Sequence, residues 1–231
     1  MANGLNLIQT VDLTKKRNVF VVGDIHGHVT LLLETLYKAG FNPEHDHVLG
    51  VGDLVDRGPE SHRADWLLSQ GWFNASLGNH ELMLIDNRLC QAQHLMTMNG
   101  AGWFIELSQD KRDHFIQMFV RHMPLLLEAL LPNGKKIGLC HATYPGDDWD
   151  YAKDLARAYP DQILWDRTYI ANRLQNKKLL GDDAVPHFVK NIDHVYYGHT
   201  PIKEVLTSGN QSWIDTGGWH KTGVFTVIQV A

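Results

Sequence analysis

Five times along this chain a short apolar run ends in glycine or cysteine and hands over at once to an aspartate, asparagine or histidine. The runs are VVGDIHG at 21–27, VGDLVDRG at 51–58, SLGNHE at 76–81, GLCHA at 138–142 and YYGHT at 196–200. Apolar runs this short, bounded by turn residues, read as buried strands. Loops leaving the carboxyl ends of such strands are where open α/β sheets place their sites, because they converge while the sheet holds them rigid. Turn chemistry accounts for the glycines and the asparagine but has no use for the histidine that four of the five carry. A fold that satisfies all five segments must bring these loops to one edge.

The remaining pattern fills in the elements between them. Strands are expected at VFVV (19–22), HVLGV (47–51), FNASL (73–77), KKIGLC (135–140), HVYY (194–197), QSWI (211–214) and GVFTVIQV (223–230). After Gly27, the residues Val29, Leu32, Leu33, Leu36 and Tyr37 share one helical face, and Gly40 supplies the stop. Pro59 suits a helix first turn ahead of Ala64, Leu67 and Leu68, with Gly71 beyond its end. Further helices are expected at 81–89 and 111–123. Strand–helix alternation at the front followed by mainly strands at the back predicts layered sheets covered by helices. No repeat, low-complexity tract or Pro/Gly/Ser linker divides the 231 residues, so the whole of 1–231 is expected to form a single domain.

Composition excludes several classes of function. The net charge of −5 leaves no basic surplus for neutralising nucleic-acid phosphates, so no nucleic-acid partner is expected. No apolar stretch reaches the length of a membrane span and no leader pattern opens the chain, so no membrane partner is expected. Two cysteines, Cys90 and Cys140, cannot form a disulfide framework, which points to a reducing, cytoplasmic home.

The five loops carry metal-competent side chains. Asp24 and His26 stand two apart, so a locally extended segment points both to one side. Asp53 offers two oxygens able to bridge two ions, and Asn79, His141 and His199 add an amide oxygen and two imidazoles. Two carboxylates, one amide and three imidazoles suit manganese, iron or zinc better than calcium, and differ from the thiolate cages of structural zinc. Two ions about 3.5–4 Å apart would form a clamp for in-line displacement at phosphorus. Cys140 precedes His141, so strand alternation buries its thiol when the imidazole faces the loops. Trp66, Trp72, Trp103 and Trp213 fit core positions. Trp149 and Trp219 fall in expected rim loops, where substrate contact is one role and core packing the simpler one. Nine further histidines, at 28, 45, 47, 62, 94, 114, 122, 187 and 194, lack the strand-end setting, and most read as surface or helix residues, His28 being the nearest rival.

GDIHG, GDLVDRG, GNHE, a later strand-end histidine and GHT resemble the metallophosphoesterase superfamily, and within it the phosphoprotein phosphatases of bacterial and phage type. Weaker likenesses at MNGAGWF (98–104), HATYP (141–145), LWDR (164–167) and IDTG (214–217) extend the resemblance over nearly the whole chain. It implies a calcineurin-like fold of α/β, α+β layered type: a central β-sandwich of mixed sheets flanked by helices. It implies that Asp24, His26 and Asp53 hold one divalent ion and Asp53, Asn79, His141 and His199 the other, with manganese expected ahead of iron or zinc. Arg57 and Arg167 match the family's phosphate-binding arginines, whose planar donors suit a phosphate dianion. His80, beside a metal ligand, would serve as general acid, with Asp56 orienting its imidazole. The implied reaction is attack on phosphorus by a water deprotonated between the ions, without a phosphoenzyme. Phosphorylated proteins or peptides are the implied substrates, with small phosphomonoesters accepted in vitro.

Three features depart from that pattern. Leu77 stands where most members carry arginine, Asp166 is placed to compete for the Arg167 guanidinium, and the 217–223 segment differs from the small, apolar residues of phage-type members. Alternatives are hydrolysis of dinucleoside polyphosphates, diesterase activity, and a noncatalytic interaction module on the same fold. Asp56 and Glu81 argue against the first, because that sister group generally replaces the aspartate of DRG and reads GNHD. The DRG arginine and LWDR argue against the second, and the intact ligand set against the third.

Overall fold

The computed structural model describes residues 4–86, 97–181, 185–220 and 223–231. Its centre is two facing sheets. One has four strands in the order β10-β2-β3-β4: β2 (Val19–Val22), β3 (His47–Gly50) and β4 (Phe73–Ala75) are parallel, and β10 (Val227–Gln229) runs antiparallel beside β2. The other has six, ordered β1-β5-β6-β7-β9-β8, from β1 (Ile8–Asp12), β5 (Leu126–Leu130), β6 (Lys136–Cys140), β7 (His194–Tyr197), β8 (Leu206–Ser208) and β9 (Gln211–Trp213).

Strand alternation sorts the side chains into layers. Val19, Val21 and Leu49 of the smaller sheet meet Leu127, Ala129, Ile137, Leu139 and Tyr196 of the larger one in a buried inner core. Their neighbours Phe20, Val22, Val48, Leu126, Cys140, Tyr197 and Trp213 face outward into a second core beneath the helices. Cys140 is fully buried there, as alternation requires. Gly138 makes room for Trp149, whose ring occupies the space a β-carbon at 138 would need. The Trp149 indole N–H is fixed by Glu128 at 2.8 Å.

The helices are α1 (Val29–Lys38), α2 (Ala64–Leu68), α3 (Asn79–Ile85), α4 (Gly102–Ile105), α5 (Gln109–His122), α6 (Ala152–Ala158), α7 (Pro160–Trp165) and α8 (Thr168–Leu180). Helix α1 buries Val29, Leu32 and Leu36, whereas Tyr37 is 82% exposed, so the apolar face is narrower than the sequence spacing predicts. Its start is capped from a distance: Glu60 accepts from the Thr30 N–H at 2.7 Å and the Thr30 hydroxyl at 2.6 Å. The expected 81–89 helix is seen to Ile85, and residues 87–89, like Cys90 and His94, lie outside the described residues.

The back half is not mainly strand, because α6 to α8 intervene between β6 and β7. Strands β1, β5 and β8 also form. Trp66 is 40% exposed and stacks under Arg63 rather than entering the core, while Trp213 is fully buried.

Candidate active site

Every residue singled out at a strand end lies at the carboxyl edge of the sandwich. Asp24 and His26 follow β2, Asp53 to Arg57 follow β3, and Asn79 to Glu81 open α3 just after β4. From the larger sheet come His141 after β6, His199 after β7 and Asp215 after β9. Asp24, His26, Asp53, Asn79, His80, His141, His199 and Asp215 are all at most 4% exposed. His26, Asp53, Asp56, Arg57 and His199 have positive φ angles of 42°, 51°, 71°, 68° and 68°. Non-glycine residues rarely adopt that region, and such strain concentrates where a site over-determines the backbone.

Glu81 organises the loop that presents Asp53. Its carboxylate accepts the N–H groups of Leu54 at 2.7 Å, Gly78 at 3.0 Å, Asp53 at 3.1 Å and Val55 at 3.2 Å. Burial and the neighbouring Asp53 push Glu81 up to about 7, while His141, His80 and the Leu54 N–H pull the other way.

Three imidazoles aim the same kind of atom inward. His26 donates through Nδ1 to the Val55 carbonyl at 2.8 Å, and His141 through Nδ1 to the Val51 carbonyl at 2.8 Å. His199 donates through Nε2 to the Trp165 carbonyl at 3.2 Å. When neutral, each ring turns the lone pair of its second nitrogen inward; for His141, burial is outweighed by the neighbouring Asp53, which raises its pKa. His26 Nε2 lies 3.4 Å from one Asp53 oxygen and 3.9 Å from Asp24. His141 Nε2 lies 3.3 Å from the other Asp53 oxygen and 2.9 Å from the Asn79 amide oxygen, which His199 Nδ1 also approaches at 2.9 Å.

Acceptors facing acceptors in a buried centre require positive charge between them. Two three-residue donor groups form, His26–Asp53–His80 and Asp53–His141–His199, sharing Asp53. The Arg57 guanidinium already answers part of that demand, since its Nη1 lies 2.5 Å from His26 Nε2. Burial, Asp215 and Asp53 raise the Asp24 carboxyl well above its ordinary range. Burial pushes His26 down, and burial with His141 pushes His199 down to about 3. Despite burial, the surrounding imidazoles hold Asp53 well below the usual carboxylate range. The donor chemistry fits divalent cations.

His80 completes the first donor group, where the sequence reading set Asp24, and has further partners of its own. Its Nδ1 meets Asp56 Oδ2 at 2.7 Å, its backbone N–H donates to Asp53 at 3.0 Å, and its Nε2 faces Arg57 at 3.1 Å. Arg57 stacks on Trp219 with 4.2 Å to the ring centroid, and Trp219 donates to Asp215 at 3.3 Å. Arg167 donates to the Thr200 hydroxyl at 3.4 Å. Asp166 does not compete for it; that carboxylate accepts from Thr143 and from the Thr168 and Tyr169 N–H groups, capping α8. Leu77 is fully buried in the outward-facing core.

Sequence reasoning overlooked two residues. Trp103, expected in the core, is half-buried and donates its indole N–H to Asp56 Oδ1 at 2.8 Å. Asp215, buried with Oδ2 unpartnered among the described atoms, belongs to the IDTG likeness, and that was its only signal.

The sequence pattern of the family described as calcineurin-like phosphoesterase matches residues 17–203. Serine/threonine-protein phosphatase 1 of Salmonella typhimurium (strain LT2) is 33% identical over 213 residues, 91% of each chain. Serine/threonine-protein phosphatase 2 of Escherichia coli (strain K12) is 32% identical over 211 residues, 90% of this chain and 91% of its own. Among solved structures, a protein provisionally assigned as a diadenosine tetraphosphatase superposes with a TM-score of 0.65 at 20% identity, covering 97% of this chain and 98% of its own, a likeness of fold alone. With the match spanning both sheets and the strand-end residues gathered at one edge, this chain is a hydrolase that belongs to the calcineurin-like phosphoesterase family.

Proposed function

We propose that the protein hydrolyses phosphoserine and phosphothreonine monoesters on proteins, working as one catalytic domain across 1–231 in the cytoplasm. The observation that carries this reading is the Asp56–His80 pair at 2.7 Å, set beside the acceptor cluster. A phosphomonoester with an alkoxide leaving group gains most from such a proton donor. The two phosphatase relatives that align over nine tenths of the chain support it.

Asp24, His26 and Asp53 would hold one divalent cation and Asp53, Asn79, His141 and His199 the second, manganese first, iron or zinc otherwise. When bound, such cations supply Lewis acidity to phosphoryl oxygens and lower the pKa of a water to near neutrality. The chain's own groups do the rest. Arg57 and Arg167 bind the phosphoryl oxygens and neutralise charge as it develops. A phosphate dianion competes for the Arg57 donors now turned toward His26 and His80, which releases His80 Nε2 to face the leaving oxygen. Water oxygen bonds to phosphorus as the ester P–O bond breaks, the departing alkoxide takes a proton from Nε2 of the His80 ring that Asp56 orients, and the proton the water gives up passes to solvent, from which His80 is reprotonated. The products are alcohol and inorganic phosphate.

The test is a substrate panel on protein stripped with chelator and reloaded separately with manganese, iron or zinc. It comprises phosphoserine, phosphothreonine and phosphotyrosine peptides, diadenosine tetraphosphate, p-nitrophenyl phosphate and its bis ester. Manganese-dependent turnover highest on the phosphoserine and phosphothreonine peptides is expected. Preference for the polyphosphate or the diester would overturn the reading.

A further inference from the structure

Asp56 has two carboxylate oxygens, and both are committed. Oδ2 lies 2.7 Å from His80 Nδ1, and Oδ1 accepts the Trp103 indole N–H at 2.8 Å. The Asp56 side chain is fully buried, and its backbone, in the left-handed region, is held by the Ser61 hydroxyl accepting the Asp56 N–H at 2.9 Å. Trp103 is placed by edge contacts of its ring with Phe104 and Phe115, at centroid distances of 5.5 and 5.2 Å. Gly100, with φ +94°, packs against the Arg57 backbone, which sets the turn that delivers α4 and Trp103 to this spot.

A carboxylate bonded on one oxygen only can rotate about its terminal bond and present either oxygen to its partner. Bonded on both it is fixed, and so is the plane of the imidazole that leans on it. We infer that Trp103 is a positioning residue for proton delivery: by pinning Asp56 Oδ1 it holds the His80 ring in the orientation that points Nε2 at the leaving oxygen. The inference rests on His80 being the general acid proposed above. Hydrogen bonds between neutral donors and charged acceptors carry enough energy that losing this one should lower turnover about tenfold where proton delivery limits the rate.

The experiment compares p-nitrophenyl phosphate, whose leaving group departs without protonation, with phenyl phosphate and a phosphoserine peptide, whose leaving groups need it. Wild type, Trp103→Phe, His80→Asn and the double variant are measured with manganese bound. Trp103→Phe is expected to lose about tenfold in kcat on the poor leaving groups, with KM little changed, and far less on p-nitrophenyl phosphate. The double variant should be no slower than His80→Asn, because both changes act through one proton. If His80→Asn shows leaving-group dependence and Trp103→Phe shows none, the Trp103 role is wrong while the general acid stands. If His80→Asn itself shows none, the general-acid reading falls and takes this inference with it. Should the Phe variant fail to fold, 3-benzothienylalanine placed at 103 by codon suppression keeps the bicyclic shape without the N–H. Wild-type rates on every substrate with that analogue would overturn the inference.

Discussion

At the scale of single residues, Asp53 concentrates the most constraint. Both donor groups share it, its two oxygens face His26 and His141, and its loop hangs on three backbone bonds to Glu81. Asp53→Asn keeps the shape but removes the charge that would serve both cations. Metal content measured by plasma mass spectrometry is expected to fall together with turnover, the latter by roughly 10²-fold or more; full occupancy by two ions would disprove the ligand assignment. The strand-end histidines were legible in the sequence because each follows an apolar run directly. His47 and His194 were misread as peripheral because they open their strands: at the opposite ends of β3 and β7 they are covered, bonded to Asn74 at 2.9 Å and Ser212 at 2.8 Å. Trp103 and Asp215 stayed hidden for a different reason. Their partners lie 47 and 4 residues away in contacts that no spacing rule announces.

At the scale of elements, strands that carry a distinct apolar or β-branched run were readable, the edge strands β4 and β10 included, whereas the edge strands β1 and β8 and the interior strand β5 were not. LLEAL of β5 has the composition of a helix, LTS of β8 is too short to show a period, and only pairing with β6 and β9 makes them strands. Strand β6 offers a quantitative check on how tightly such pairing is packed. Gly138→Ala would drive a β-carbon into the Trp149 ring, which the Glu128 bond prevents from sliding away. A loss of roughly 1–3 kcal/mol in urea unfolding is expected. A change below about 0.5 kcal/mol, the scatter of innocuous surface substitutions, would show that the indole can shift freely.

At the scale of the whole molecule, stability should fall with acidity in two stages that arise away from the cluster. Burial pushes His47 and His194 down to about 4 from an ordinary 6.5. Between those values the unfolded chain binds protons that the native one refuses, so stability drops as pH falls from about 6.5 to 4, by at most about 3 kcal/mol for each group. Although burial opposes it, bonds from Thr30 and Arg63 hold Glu60 down to about 2, so its contribution disappears later, as pH falls from 4.5 towards 2. Urea midpoints of chelated protein across pH 7.5 to 3.5 give the measurement, and a His47→Asn, His194→Asn double variant should flatten the first stage; an unchanged slope would refute the assignment. The cluster itself has a mechanical consequence. Asp53 and Asn79 hang from the four-stranded sheet and His141 and His199 from the six-stranded one, so the second cation, held by these four, would act as a rivet through both leaves. Anything that lets the leaves slip, however remote, would then announce itself as lost catalysis well before the chain comes apart.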